Sequence, residues 1–589
     1  MANTSAAAPA GLPDGDSAGT LLGHPKGLFV LFFAEMWERF SYYGMRALLI
    51  FYLVQHWMFS DADASIIYGA YTALVYIAPV VGGYLADRYL GQRKAVLFGA
   101  VLLTFGHFFM AFEGDGGQSG MAINIFWLAL ALIIVGSGFL KANISVMVGQ
   151  LYPRTDIRRD PAYTIFYMGI NLGAALGSLL CGYLGMHPDY GWSYGFGAAG
   201  IGMLLGLIVF IWGKPLLLGR GEPKDPEALK GGKEVGIYAA GLAMVALCWV
   251  AIQYQDLVGV VLGGFGGALV AYVLAIVTFK LAYGSWDNAP RGPFYFYLIS
   301  ALVMIVGITL AALGNQPMLY VALAGLAGLV GTLVQQSMAK SFHDRDRIFA
   351  AMFLILVSII FWALFEQAGS SLNLFTDRHV DRSILGFEPT AAMFQSLNAI
   401  YIVLLAPIFA GLWLWLGRRG FEPSAPMKFG LAVIQVGLGF LVLVWGAEAV
   451  GMGVATPVIF IFLVYLLHTT GELCLSPVGL SAMNRLSPGH MASLVMGTWF
   501  FASATGNFAA GLIAAATGAE GVGEEAGKEV VLGVYETVGL YAIGIGIVVM
   551  ALAPLVKKWM HLDTLQDDDV PGENEIGEPQ AAGTKPAGG

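Results

Sequence analysis

The sequence predicts an all-α polytopic membrane protein of two six-helix bundles, with extra transmembrane helices inserted between them. Its composition is the first reason: of 589 residues 57% are hydrophobic and 12% charged, whereas roughly a quarter of a soluble domain is charged. Mean hydropathy is +0.72. The second reason is that apolar stretches of about 20 residues, each long enough to cross a bilayer core, recur along the chain and give about 14–16 spans. The lipid bilayer is therefore the expected surroundings of the protein.

Charged breaks and breaks rich in Gly and Pro separate the apolar stretches into candidate spans. The first six begin near residues 28, 66, 95, 123, 164 and 196. Four more lie at about 235–255, 258–282, 293–313 and 317–338, and six at about 348–375, 393–416, 428–447, 457–483, 492–516 and 534–556. The predicted domains are a disordered N-terminus (1–25), a first bundle (26–218), a linker with four inserted helices (219–345), a second bundle (346–560) and a disordered acidic tail (561–589).

The distribution of Lys and Arg among the loops is the third reason and orients the bundles. Loops that stay in the cytoplasm carry an excess of basic residues. The loops after even-numbered spans do so here, with Arg88, Arg93, Lys94, Arg158, Arg159, Lys214, Lys280, Arg345, Arg418 and Lys557. The loops at 57–64, 113–121 and 186–192 have none, so both termini are expected in the cytoplasm. Arg378, Arg382 and Lys528 are exceptions to this pattern.

Seven charged side chains lie well inside the apolar spans. They are Glu35, Glu38, Arg39, Arg46, Lys141, Glu366 and Glu472. Each costs roughly 2.5–3.5 kcal/mol at the centre of a span, so such residues usually face a wet cavity and mark function. Ion pairs that only stabilise packing are the alternative, but buried pairs are a poor source of stability.

Helical spacing indicates that these side chains point to one place. On the first span Glu35, Glu38, Arg39, Tyr42 and Arg46 follow i, i+3, i+4, i+7, i+11 spacing, which puts them on one stripe. Three further i, i+4 pairs put polar or aromatic groups on one face of a helix: Tyr167 with Asn171, Trp362 with Glu366, and Glu472 with Ser476. The pattern predicts one central water-filled cavity.

The loop after the second span carries the first recognisable motif, GGYLADRYLGQRK at 82–94. Its glycines allow close helix approach, while its acidic and basic groups can pair or engage helix ends. The residues of interest are Gly83, Asp87, Arg88, Gly91 and Arg93. The motif resembles the loop signature of the major facilitator superfamily, which implies a major facilitator fold with a central site exposed alternately to each side.

Four motifs in both halves resemble those of the proton-coupled oligopeptide transporter family. EMWERFSYYG at 35–44 matches the family's ExxERFxYYG, and FYMGINLG at 166–173 matches its FYxxINxG. GELCLSP at 471–477 matches GELxxSP, and GSGFLKAN at 136–143 is similar to the lysine motif of the fourth helix. Residues 220–345 lie outside this motif resemblance.

The resemblance implies roles for the charged residues. Glu35, Glu38 and Arg39 would form a proton-coupling cluster with Lys141 as ionic partner, and Glu366 would relay protons or latch a gate against Arg46. Independently of family, a carboxylate that pairs with a cation in one conformation only changes its proton affinity with conformation.

The resemblance also implies a binding pocket for small peptides. Cations of the first half suit the peptide carboxylate, and Glu472 suits its ammonium group. The implied peptide-binding residues are Tyr43, Arg46, Tyr76, Lys141, Tyr167, Asn171, Trp362, Phe365, Asn398, Glu472, Ser476 and Trp499. The expected function is symport of di- and tripeptides with protons into a bacterial cell across its inner membrane.

One position departs from the family pattern, and two histidines lie outside it. Animal members have a second-helix histidine where this chain has Gly69, so coupling is expected to depend on carboxylates. His107 and His468 are interpreted as core residues.

Other functions remain open. The same scaffold can carry nitrate, a peptide-like drug or another small solute, although Glu472 favours zwitterionic cargo. An intramembrane enzyme is disfavoured because the GQSG string at 117–120 has no basic partner nearby. A receptor or channel would need ligand domains or filter-like loops. The three cysteines lack metal-ligand spacing, no basic patch suggests nucleic acid, no cofactor is implied, and no pattern indicates the oligomeric state.

Overall fold

A computed structural model describes residues 15–153, 156–223, 229, 232–313, 315, 317–488, 491–518 and 523–562. Fourteen helical segments among them are long and apolar enough to cross a membrane. Two more helices of similar length, Lys26–Phe51 and Ala492–Ala515, are richer in charged or small polar residues. The prediction of an all-α polytopic membrane protein is confirmed.

The first bundle contains six long helices. They are α1 (Lys26–Phe51), α2 (Asp61–Leu85), α3 (Gln92–Met110), α4 (Met121–Gln150), α5 (Arg159–Met186) and α6 (Trp192–Trp212). π-helical turns at Tyr52–His56 and Ala86–Leu90 extend α1 and α2, and a 3₁₀ turn at Lys214–Leu217 follows α6. α1 packs against α5 and α6, and α3 packs against α4, so that the apolar faces enclose one hydrophobic core.

Four long helical elements follow between the bundles. They are α7 (Lys233–Gln253), a segment Gln255–Leu281 containing α8 (Gln255–Val260) and α9 (Gly266–Ala275), α10 (Arg291–Ala312) and α11 (Met318–Ala339). π-helical turns at Val261–Phe265 and Ile276–Leu281 complete the second element. α7 packs on α4, α8 on α2, and α9 on α12 and α17, whereas α10 and α11 pack on each other and on the segment Gln255–Leu281.

The second bundle contains another six long helices and one short one. They are α12 (His343–Phe365), α13 (Ser371–His379), α14 (Ser396–Arg418), α15 (Ala425–Val450), α16 (Ile459–Leu486), α17 (Ala492–Ala515) and α18 (Glu524–Trp559). α15 packs on α16 and α18, and α12 packs on α17, around a second core. Among the small elements are a 3₁₀ turn at Ala391–Gln395 and two parallel strands, β3 (Val380–Asp381) and β4 (Thr456–Pro457).

The seventh core span is broken, although one continuous helix was predicted at 348–375. α12 ends at Phe365, a 3₁₀ turn covers Glu366–Gly369, and α13 begins after Ser370, whose φ −126° and ψ −100° are not helical. Gln367 holds this turn against α12 and α17, because its amide Nε2 donates to the carbonyls of Ala363 (2.9 Å) and Ala510 (3.0 Å). The break places Glu366 at a helix end inside the bundle.

The two bundles meet at one end and separate at the other. α2 crosses α17, and α5 packs against α14, near the loops predicted to face outward. Gly69 and Gly511 lie at the α2–α17 crossing, where a Cβ on Gly69 would come 2.8 Å from the Gly511 Cα. At the predicted cytoplasmic end α4 and α5 make no extended contact with α16 or α17 in the described part of the chain. The cleft between the bundles is therefore closed at the predicted outer end and open at the predicted cytoplasmic end.

The N-terminus differs in part from the prediction of disorder at 1–25. Residues 1–14 lie outside the described residues, as do 563–589 of the predicted disordered tail. Residues 15–25 form a 3₁₀ turn (Gly15–Ala18) and a hairpin of β1 (Thr20–Leu21) with β2 (His24–Pro25). Two contacts that sequence patterns do not show hold it to the bundle.

The two contacts come from the loop between α4 and α5. The Arg158 guanidinium donates to the Gly23 carbonyl at 2.9 Å and lies 3.0 Å from the Asp16 carboxylate. His24 Nδ1 lies 2.8 Å from the Tyr152 hydroxyl, and burial, together with Arg158, lowers the pKa of His24. A neutral imidazole is therefore the form that meets Tyr152 at neutral pH.

The three basic residues that broke the positive-inside pattern all have partners. Arg378 forms two hydrogen bonds with Asp61, at 2.5 and 2.9 Å, which join the bundles at the predicted outer end. Arg382 lies 3.1 Å from an Asp377 oxygen. Lys528 is buried and donates to the Val454 carbonyl at 2.7 Å. Carboxylates therefore offset the charges of Arg378 and Arg382, whereas backbone carbonyls solvate the ammonium group of Lys528.

Candidate functional site

The ionisable stripe of α1 faces the protein interior. Glu35, Glu38 and Arg39 are at most 3% exposed. Arg39 Nε donates to Glu35 Oε1 at 2.7 Å and lies 2.9 Å from Glu38 Oε2. Only the contact with Glu35 has the geometry of a hydrogen bond, and both oxygens of Glu38 lack one within the described residues. The two carboxylates thus share one cation unequally.

Lys141 of α4 lies near this cluster but is not bonded to it. Its ammonium group sits over the aromatic rings of Tyr76 (4.6 Å to the centroid) and Tyr42 (5.4 Å), an arrangement that stabilises a cation. Glu38 is within electrostatic reach of Lys141, yet the two form no ion pair. The predicted direct pairing of Lys141 with the cluster is therefore not present in this conformation, because the amine is turned toward the aromatic rings.

Arg46 links the two bundles. Its Nη2 forms an ion pair with Glu366 Oε2, and its Nε donates to the Tyr68 hydroxyl at 2.6 Å. The ring of Tyr43 lies 5.9 Å from the Arg46 guanidinium carbon. The sequence named Arg46 and Glu366 as possible latch partners but gave no signal for Tyr68, whose contact depends on how α2 packs against α1.

The opposite wall carries an acidic group from the second bundle. Glu472 of α16 accepts a hydrogen bond from the Asn398 amide of α14 at 2.9 Å, and the same amide donates to the Thr469 hydroxyl at 3.1 Å. Ser476 lies one turn further along α16 and is half-buried. Thr469 was not predicted, and its i, i+3 spacing from Glu472 was the signal that would have identified it.

The surroundings of Tyr43 connect the charged groups of the first bundle with those of the second. Tyr43 is half-buried on α1 and lies within electrostatic reach of Arg39 and Arg46 of its own helix and of Glu366 and Glu472 of the second bundle. The cationic and acidic groups predicted from separate motifs thus lie around one region between the two bundles.

The remaining predicted pocket residues differ in exposure. Tyr167 is 47% exposed on α5, whereas Asn171 is buried and bonds to the Tyr167 carbonyl at 3.0 Å. Trp362 and Phe365 are half-buried with ring centroids 5.4 Å apart. Trp499 is 4% exposed because its ring packs on Gly479 and Phe429 in the second core. It therefore does not form an open wall in this conformation.

The loop motif after α2 connects the first bundle to the inserted segment. Gly91 has φ +74° and touches the backbone at Glu222, so both its conformation and its surroundings exclude a side chain. Arg93 forms a two-bond pair with Glu222, at 2.5 and 3.2 Å. Asp87 accepts a hydrogen bond from the side-chain amide of Gln92 at 2.7 Å. It forms no ion pair with a basic neighbour among the described residues, although pairing is one of the two roles that the motif predicts for it.

Two other residues of the loop motif lie at the surface or in ordinary packing. Arg88 is exposed and lies over the ring of Tyr89, at 5.8 Å. A Cβ on Gly83 would lie at an ordinary contact distance, 3.8 Å, from the Cβ of Ala142 on α4. No cluster of His, Cys, Asp and Glu able to hold a metal occurs among the described residues, and the three cysteines are free and buried.

Comparison with known proteins assigns the family. A model of the POT family matches residues 93–230 and 242–525. This match continues through most of residues 220–345, which the motif comparison left outside the resemblance. It therefore corrects that expectation.

Similar proteins and structures agree with the family match. The uncharacterized transporter YclF of Bacillus subtilis is 35% identical, covering 91% of this chain and 95% of its own. The peptide transporter YePEPT of Yersinia enterocolitica is 36% identical, covering 84% and 88%. A crystal structure of a mutant of the peptide transporter POT with alafosfalin aligns with TM-score 0.68 at 31% identity, covering 92% of this chain and 97% of that one. The family's fold is that of the major facilitator type, and the chain is a multi-pass membrane protein that belongs to the POT family.

Proposed function

We propose that this protein is a symporter that imports di- and tripeptides together with protons by alternating access. It would lie in the inner membrane of a bacterium with both termini in the cytoplasm. The observation that carries the proposal is the grouping of charges between the bundles, where buried cations of the first bundle face Glu366 and Glu472 of the second.

The arrangement of charges supports a zwitterionic cargo. Arg46 and Lys141 are available on one wall for a carboxylate, and Glu472 on the other wall for an ammonium group. Contacts limited to the two ends of a short peptide would give little selectivity among its side chains. The relatives named above include a peptide transporter, and alafosfalin occupies one aligned structure.

The buried carboxylates support proton coupling. Glu38 can take up a proton without breaking a hydrogen bond, since its oxygens have none. The Glu35–Arg39 and Arg46–Glu366 pairs would exchange partners when cargo or protons arrive. Proton occupancy and cargo occupancy would then bias the same conformational equilibrium, which is the requirement for coupling.

The difference between the two ends supports alternating access. The Asp61–Arg378 and Arg46–Glu366 pairs join the bundles toward the predicted outer end, while the predicted cytoplasmic end is open. Opening the outer end would require both pairs to separate as the bundles rock.

A cargo other than a peptide is the second candidate. A POT family transporter with 5-aminolevulinic acid aligns with TM-score 0.66 at 28% identity. That molecule also carries an ammonium and a carboxylate, so the same two walls would hold it. An inorganic anion such as nitrate has no cationic group that could pair with Glu472.

Uptake by the purified protein in proteoliposomes tests the proposal. Labelled dipeptide should accumulate above its external concentration when the outside is acidic, and only equilibrate when the proton gradient is collapsed. Accumulation of labelled 5-aminolevulinic acid but not of any di- or tripeptide would favour the second candidate. Accumulation that ignores the proton gradient would rule out symport with protons.

A further inference from the structure

Tyr68 occupies a position in the central network that none of the sequence motifs includes. It is 2% exposed on α2, and its hydroxyl accepts a hydrogen bond from Arg46 Nε at 2.6 Å. The hydroxyl also fills the space in which a Cβ on Gly369 would lie, so Tyr68 reaches from the first bundle to the turn just after Glu366 in the second.

Tyr68 contacts the edge of the Arg46 guanidinium that could otherwise form a two-bond pair with a carboxylate. Nε and Nη2 point to the same side of an arginine, and a carboxylate that accepts from both forms a strong two-bond pair. Elsewhere this protein forms such pairs: Glu222 accepts from Nε and Nη2 of Arg93, at 2.5 and 3.2 Å. Asp156 does the same with Arg158, where Nε–Oδ1 is 3.1 Å and Nη2–Oδ2 is 2.7 Å.

At Arg46 this edge is divided between two partners. Tyr68 holds Nε, so Glu366 contacts Nη2 alone. Nη1 of Arg46 has no hydrogen bond within the described residues. The ion pair that joins the bundles is therefore limited to one bond, and one edge of the arginine is left for another anion.

We propose that Tyr68 is a positioning residue that keeps the Arg46–Glu366 pair weak enough to separate. Without the hydroxyl, Glu366 rotates onto both Nε and Nη2, and the closed outer end becomes more stable. With it, Arg46 can pass from Glu366 to the carboxylate of the cargo. Only this last step rests on the proposed function.

Replacement of the hydroxyl tests the proposal. Spin labels on cysteines at the exposed outer positions Met58 and Leu385, one on each bundle, report the opening of the outer end by electron–electron distance measurements in proteoliposomes without cargo. Tyr68→Phe should reduce the long-distance fraction about fivefold, the effect of roughly one added hydrogen bond. Tyr71→Phe is the matched control, since the Tyr71 hydroxyl is buried on the same helix and bonds to nothing among the described residues.

The double variant separates positioning from packing. In a Glu366→Gln background Tyr68→Phe should leave the long-distance fraction unchanged, because no carboxylate remains to take both nitrogens. An equal fall in both backgrounds would assign Tyr68 a packing role, and an unchanged or larger fraction in Tyr68→Phe alone would overturn the proposal. Since the measurement needs no cargo, failure of peptide uptake would leave its outcome standing.

Discussion

At the scale of single residues, the unequal sharing of Arg39 by Glu35 and Glu38 separates two roles within one motif. Glu35 holds the arginine with a 2.7 Å hydrogen bond, whereas Glu38 is fully buried with oxygens that accept none. We propose that Glu35 fixes the cation and that Glu38 takes up the proton, because protonation of Glu38 breaks no hydrogen bond and weakens only its ion pair with Arg39.

Substitution of Glu38 tests this distinction. Glu38→Gln keeps the size of the side chain and removes its exchangeable proton, so gradient-driven uptake should be abolished while counterflow exchange stays detectable. Glu388→Gln, at a carboxylate that is 70% exposed, should change neither rate. Unchanged driven uptake in Glu38→Gln would refute the coupling role.

Substitution of Glu472 tests the acidic wall. Glu472→Ala should weaken binding of peptides with a free amino end by roughly 1.5–3 kcal/mol, the value of a hydrogen bond to a charged group, or about 10- to 150-fold in affinity. Peptides with a blocked amino end should be affected much less in the same competition assay. Glu448→Ala, at an exposed position of α15, is the control. Equal losses for both peptide classes would contradict the ammonium assignment.

At the scale of elements, the crossing of α2 and α17 explains the departure from the family at Gly69. A histidine there would overlap the backbone of α17, because even a Cβ would lie 2.8 Å from the Gly511 Cα. In this packing a second-helix histidine is therefore excluded.

A methyl group at Gly69 should open the crossing. Gly69→Ala is expected to destabilise the closed outer end by about 1–3 kcal/mol, the usual cost of overpacking, and to raise the long-distance fraction between labels at Met58 and Leu385. Gly497→Ala on α17 is the control, since nothing lies within 4 Å of a Cβ there. An unchanged distance distribution would show that the crossing can relax.

Elements defined by local sequence were predictable, and contacts between distant segments were not. The long apolar spans and the charged stripe on α1 follow from hydropathy and helical spacing. The break after Phe365 depends on Tyr68 and Gln367 meeting other helices, and the order of residues 15–25 depends on Arg158. Lys141 lies on the fourth helix, as its motif predicts. Which neighbours its ammonium group contacts depends on the conformation of the protein.

At the scale of the whole molecule, the described conformation has one closed and one open end. The family and the helical architecture establish a multi-pass membrane protein, while its orientation stays a prediction from the loop charges. The three native cysteines are buried, so that single introduced thiols can report which end faces which side.

Thiol labelling tests orientation and conformation together. Val81 of α2 is 40% exposed at the predicted cytoplasmic end, and Met58 is 66% exposed at the predicted outer end. A membrane-impermeant maleimide should label Val81→Cys only in inside-out vesicles and Met58→Cys only in right-side-out vesicles. The unsubstituted protein should stay unlabelled in both. The reverse pattern would invert the assigned topology.

The segment Gln255–Leu281 rests on α2 through α8 and on α12 and α17 through α9. Its side chains Val258 and Leu262 share a small apolar cluster with Ala70, Ala73 and Ala504 of the two bundles. Lipid on that flank of the protein would therefore contact the inserted helices and not the crossing of α2 and α17. Detergents that strip bound lipid should disturb the packing of α10 and α11 before they disturb the crossing of α2 and α17.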